Sequence, residues 1–192
     1  RPLGERTSQL LSPGLLRIAA ALTLLSPFVP LLFQGEEWGA STPFLYFTDH
    51  AEPELAQAVR QGRPPGSPDP QSAQTFERSR LRWKERDEPG PSSLLEWYRA
   101  LLQLRRTTTL TTHEMRDERA RTNDRQRWFT LARGPWRIAC NLAPQPQRVP
   151  VGAPPGGGHW ELVLASSAGA GEPGEDAVWL PGEAVAVLRQ AE

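Results

Sequence analysis

The 192-residue sequence predicts a mixed α/β segment followed by an all-β one, and three observations carry that expectation. An apolar stripe at helical spacing runs from Leu15 to Leu25, and after a proline break the run Val29–Phe33 is continuously apolar. A second helical stripe covers Leu94–Leu102. After Thr107 the pattern changes to short β-type runs with turn residues between them, spaced about 8–12 residues apart as in an antiparallel sandwich. We therefore expect two parts, residues 1–106 and residues 107–192.

Each element has a local reason. Ser12 is a good N-cap with Pro13 at the first helical position, and Leu15, Ile18, Ala19, Leu22 and Leu25 share a face. Ser26-Pro27 ends this helix. Val29–Phe33, apolar on both faces, suits a strand of a parallel sheet covered by helices on either side. No second strand–helix alternation follows, so the segment reads as the tail of a larger α/β domain. Arg1 at the first position and Met115 as the single methionine fit a cleaved, trimmed or partial chain. Gln34–Gly39 then leaves the C-terminal end of the expected strand, and Trp38, Phe44, Tyr46 and Phe47 make this stretch strongly aromatic. Pro53 opens a short helix that Gly62 closes, and Arg63–Pro70 is loop. Thr75–Trp83 reads as a short helical turn. Asp87–Pro91 breaks the chain before a capping box, Ser93-Leu94-Leu95-Glu96, whose helix presents Leu94, Trp97, Tyr98, Leu101 and Leu102 and ends near Arg105–Arg106. The charged run Arg116–Arg127 is a solvated loop or an edge strand. Expected strands are Arg127–Leu131, Trp136–Leu142, Arg148–Val151, Trp160–Ala165, Ala177–Leu180 and Ala184–Leu188.

Composition narrows the function classes. Twenty-two basic residues balance twenty-two acidic ones, which argues against nucleic acid or a membrane surface as partner. The uncharged run Ile18–Phe33 is shorter than the ~20 residues of a spanning helix and is broken by Pro27 and Pro30. The single cysteine, Cys140, excludes an internal disulfide and fits a reducing, cytoplasmic setting; within its apolar strand it reads as a core residue.

Few residues could do chemistry. His50, His113 and His159 have no second histidine or cysteine at helical or strand spacing, so no metal site is expected, and no phosphate-binding or dinucleotide motif occurs. His50 beside Asp49 reads as a hydrogen-bonded loop histidine, and His113 and His159 as structural or exposed. Glu36 and Glu37 form an adjacent carboxylate pair, but neighbours on a strand point to opposite faces, so they do not serve one substrate as a pair. A structural reading has one of them capping loop amides or pairing with an arginine while the other lines a pocket. Trp38, Phe44, Tyr46 and Phe47 suit either sugar stacking or a hydrophobic lid. Trp128, Trp136, Trp160 and Trp179 could make the sandwich a carbohydrate-binding module, although alternating strand positions favour a core.

Pro30-Leu31-Leu32-Phe33-Gln34-Gly35-Glu36-Glu37 resembles the eighth-strand motif of the α-amylase superfamily of glycoside hydrolases. The continuation through Trp38-Gly39-Ala40-Ser41-Thr42-Pro43-Phe44 and Tyr46-Phe47-Thr48-Asp49-His50 narrows the resemblance to its trehalohydrolases, as do Asp69-Pro70 and Thr75–Ser79. The resemblance implies the last helix–strand–helix part of a (β/α)8 barrel followed by a C-terminal β-sandwich. It implies hydrolysis of the α-1,4 bond next to the terminal trehalose of maltooligosyl trehalose or a related α-glucan, without a cofactor. It also implies that all three catalytic carboxylates precede Arg1, in a missing N-terminal barrel portion, so no catalytic residue is expected here and the isolated chain should be inactive. Glu36, Glu37, Trp38, Phe44 and Tyr46 would lie near the sugar. A branching or debranching relative is the nearest alternative.

Overall fold

The computed structural model describes residues 3–108 and 118–192. Among the described residues four helices, α1 (Pro13–Leu25), α2 (Pro53–Gln61), α3 (Ala73–Ser79) and α4 (Pro89–Thr107), precede seven strands. These are β1 (Glu118–Asn123), β2 (Trp128–Arg133), β3 (Trp136–Asn141), β4 (Gln147–Pro150), β5 (His159–Ala165), β6 (Ala177–Leu180) and β7 (Ala184–Ala191). The helix-rich part followed by antiparallel sheets is the expected fold class. His113 and Met115 lie outside the described residues.

The chain forms two compact units, one of residues 3–11 and 32–95, the other of residues 12–31, 96–108 and 118–192. In the second unit β1-β2-β3-β7-β5 make a five-stranded antiparallel sheet, and β4-β6 a two-stranded one. All six expected strands are present. The charged run supplies a further strand, β1, which among the described residues pairs only with β2 and lies at the edge of the sheet, where charged side chains suit solvent. Trp128, Ala139, Val149, Trp160, Val178, Leu180 and Leu188 fill the core. Alternation puts Ile138, Cys140, Val185 and Val187 on the other face of the large sheet, and they too are buried. The helix α1 lies against β7 and β3 and covers that face.

Local chemistry at both ends of α1 explains this docking. Ser12 Oγ accepts the Leu15 N–H at 3.2 Å and donates to the Glu183 carboxylate in the turn before β7. A Cβ on Gly14 would stand 2.4 Å from the Glu183 carbonyl oxygen, so only glycine lets the helix approach. At the other end the orphan carbonyls are taken by arginines. Arg105 donates to Leu24 O, to Ser26 O at 3.0 Å and to Phe28 O at 3.1 Å, and Arg133 donates to Leu25 O at 2.9 Å. The buried face of α1 is Ile18, Ala20, Ala21, Leu24 and Leu25, rotated from the expected stripe because the alanines permit close approach to the sheet.

Two other elements differ from expectation. Val29–Phe33 pairs with no strand, and Val29 and Leu31 are 84% and 89% exposed. A strand apolar on both faces forms only between neighbouring strands, and the described residues contain no parallel strand. The helix α4 starts at Pro89 rather than at the Ser93 capping box, because Pro89 and Pro91 are tolerated within a first turn whose N–H groups need no partner. Its expected face otherwise holds: Leu94, Trp97, Tyr98 and Leu101 are buried, and Leu102 is exposed.

No helix among the described residues is long and apolar enough to cross a membrane.

Candidate functional site

The candidate site lies in the first unit, around a 3-10 turn at Glu36–Trp38. Gly35 and Gly39 flank the turn with φ of 80° and 68°, values that L side chains rarely adopt. A Cβ on Gly35 would also strike Ala40 and Leu81, at 2.7 and 2.8 Å. Glycines at these positions therefore decide that the chain reverses here.

The two glutamates have separate tasks. Glu36 Oε2 accepts the Phe33 N–H at 3.0 Å and ties the turn to the segment before it. Glu37 faces the positive charge of Arg6. Arg6 is a buried guanidinium that sequence reasoning did not assign to the site. Its Nε donates to Thr42 O, its Nη1 to Gln34 O at 2.6 Å, and it lies over the Phe33 ring at 5.4 Å. Burial lowers its pKa from the ordinary arginine value, while the charges of Glu85 and Glu37 act against that.

Glu85 is the second residue that sequence reasoning missed. It sits in the 3-10 turn Trp83–Asp87 and is buried. Its carboxylate accepts from Trp38 Nε1 at 3.2 Å, from Ser41 N at 3.0 Å and from Ser41 Oγ at 2.6 Å. Burial pushes this carboxyl upward, but the bonds from Ser41 and Trp38, with the charge of Arg82, hold it below the ordinary value. Only a pairing across 44 positions reveals this node, and no local pattern signals it.

The aromatics divide by exposure. Trp38 is 3% exposed and packs on Trp83, ring centroids 5.3 Å apart. Its faces are therefore occupied by protein. Tyr46 is 46% exposed and carries the Arg63 guanidinium over its ring at 4.7 Å. Phe33, Phe44, Phe47 and Phe76 form a continuous edge-to-face series, with centroids 4.9, 5.9 and 5.1 Å apart. Phe44, Phe47, Phe76 and Trp83 line a cavity of about 370 Å³. Thus Glu36, Glu37, Trp38 and Phe44 gather about one turn and its neighbouring loop, with Tyr46 on the outer side.

His50 engages Gln71 through its backbone, donating N–H to Gln71 Oε1 at 3.2 Å and accepting from Gln71 Nε2 at 3.0 Å. His159 is an exposed residue at the start of β5. Among the described residues no three His, Cys, Asp or Glu side chains gather closely enough to hold a metal. In the sandwich Trp128, Trp136 and Trp160 are buried, and Trp179 is exposed. Three of the four tryptophans are thus part of the folded interior rather than a ligand platform.

The chain is built like the corresponding part of α-amylase-type glycoside hydrolases. It superposes on a putative α-amylase from Salmonella typhimurium with a TM-score of 0.77 and 29% identity, covering 99% of this chain and 33% of that one. An α-amylase from H. orenii shares the fold at a TM-score of 0.58 and 17% identity, covering 94% of this chain and 36% of that one. Residues 116–187 match the family model described as Domain of unknown function (DUF3459). In sequence the chain is 40% identical over 205 residues to the malto-oligosyltrehalose trehalohydrolase of Mycobacterium tuberculosis (strain H37Rv), covering all of this chain and 33% of the relative. It is 43% identical over 157 residues to the malto-oligosyltrehalose trehalohydrolase of Rhizobium sp. (strain M-11), covering 76% of this chain and 26% of the relative. The chain is homologous over its whole length to malto-oligosyltrehalose trehalohydrolases, and it spans about a third of their length, the C-terminal part.

Proposed function

We propose that this chain is the C-terminal third of a retaining glycosidase that hydrolyses the α-1,4 bond beside the terminal trehalose of maltooligosyl trehalose and releases trehalose. The observation that carries the reading is the 40% identity to a malto-oligosyltrehalose trehalohydrolase across the entire chain. Residues 1–106 form the end of the catalytic barrel and residues 107–192 the C-terminal sandwich; α1 packs on β7 and β3 although chain order puts it with the barrel. The remaining N-terminal portion supplies the carboxylates. One attacks the anomeric carbon while a second protonates the leaving oxygen and then activates water. This third carries no catalytic residue.

Its contribution is positional. The Glu36–Trp38 turn, held by Glu85 and Arg6, sets the loop beside the sugar, and Phe44 and Tyr46 face the glucan. An α-glucan, rather than nucleic acid or a membrane, is the partner, and the setting is cytoplasmic. Product analysis of the full-length protein with maltooligosyl trehalose tests the assignment. Trehalose release is expected, whereas a new α-1,6 branch or cleavage of one would transfer the protein to a branching or debranching role.

A further inference from the structure

An α-glucan at Phe44 would border the cavity that Phe44 shares with Phe47, Phe76 and Trp83. We propose that Trp83 and Phe76, with Phe47, form a stacking platform for a stretch of α-glucan in that cavity; this deepens the same reading and rests on it. Trp83 is 59% exposed and Phe76 45% exposed, an unusual cost for two large aromatic rings. Both border the same cavity of about 370 Å³. The rings are held in place from behind. Trp83 backs onto the buried Trp38, whose indole is pinned by Glu85, and Phe76 meets the Phe47 edge at 5.1 Å and 73°. A platform rigid before binding loses little entropy on binding.

The lining chemistry selects the ligand class. Gln34 and Arg80 border the aromatics and can meet hydroxyl groups. Arg80 is already paired with Glu77 at 2.9 Å, so the cavity offers no uncompensated charge to an anion. No carboxylate lines it, which disfavours a cation. What fits is a neutral molecule with apolar C–H faces and a hydroxyl rim, the description of a pyranose chain.

The test uses the full 192-residue chain and maltoheptaose as probe, titrated by calorimetry, with cellohexaose as the control sugar. Trp83→Ala and Phe76→Ala should each weaken maltoheptaose binding about tenfold, the size of an ordinary aromatic anchor. Trp83→Phe, which keeps a stacking face, should stay within about threefold of the parent, and Trp179→Ala should bind as the parent does. Absence of maltoheptaose binding by the parent chain overturns the proposal, as does equal binding by Trp83→Ala. Equal affinity for cellohexaose overturns the α-glucan class. Trehalose release by the full-length protein is a separate readout. Its absence, with Trp83-dependent binding retained, removes the trehalohydrolase assignment and leaves this site standing. Trehalose release with Trp83-independent binding does the reverse.

Discussion

Trp38 donates its indole N–H to the Glu85 carboxylate across 3.2 Å, although 47 positions separate them in the chain. Ser41 gives the same carboxylate two further bonds. One acidic side chain thereby ties Trp38, the end of the Glu36–Trp38 turn, to Ser41 in the loop that follows, and it does so as an anion.

Replacing Glu85 tests that role. Glu85→Ala leaves the Trp38 and Ser41 donors buried without an acceptor and should cost about 1–3 kcal/mol, read in thermal melts followed by tryptophan fluorescence. The folded-state pKa of Glu85 is depressed. Its contribution is therefore fully present above the unfolded carboxylate pKa of roughly 4.3 and is lost as pH falls through the lower folded value. Glu85→Gln should lower the melting temperature at pH 7 while reducing the loss between neutral and acid pH. An unchanged acid dependence would locate that sensitivity elsewhere.

The C-terminus of α1 predicts a second outcome. Arg105 satisfies carbonyls of Ser26 and Phe28 there, and Arg133 satisfies that of Leu25. Arg105→Ala should destabilise the chain by about 1–3 kcal/mol. Arg105→Lys should recover only part of this, because a lysine restores the charge but not the planar fork. Full recovery by lysine in urea titrations would mean that charge alone matters.

Two glycines should respond in opposite directions. Gly14→Ala drives a methyl group into the backbone at Glu183 and should loosen α1 from the sheet, at a cost of about 1–3 kcal/mol. Gly62→Ala, at the end of α2 with φ −74° and ψ −3°, meets its nearest neighbour, the Ala58 carbonyl oxygen, at an ordinary 3.4 Å and should stabilise by about 0.4–1 kcal/mol through the unfolded chain. Chemical denaturation of both variants measures the contrast.

Exposed apolar side chains at Phe28, Val29 and Leu31 predict self-association of the chain. Leu31→Lys should raise the concentration at which light scattering first appears, and it should leave the melting temperature nearly unchanged because no packing is removed. A large fall in melting temperature would show that Leu31 is packed in solution.

Burial pushes the Cys140 thiol well above its ordinary pKa. The native chain should therefore resist a thiol-reactive disulfide reagent at pH 8 and react fully in denaturant. Rapid labelling of the folded chain would contradict the buried position in β3.

What the sequence determined by itself is local. Ser12 and Pro13 announce α1, Pro53 announces α2, and alternation reveals six of the seven strands, because caps and side-chain periodicity act within a few residues. The Gly35–His50 run likewise carried the family resemblance without any structure. What only the tertiary structure decided is long-range. The burial of Arg6, the Glu85 node and the capping of α1 by Arg105 all join segments distant in the chain. So does the docking of α1 on β7, which rotates its buried face away from the stripe read from spacing. Val29–Phe33 makes the same point in the opposite sense. Its composition suits a buried strand, yet a strand is a property of a pair, and without a partner its backbone groups have no ladder to join.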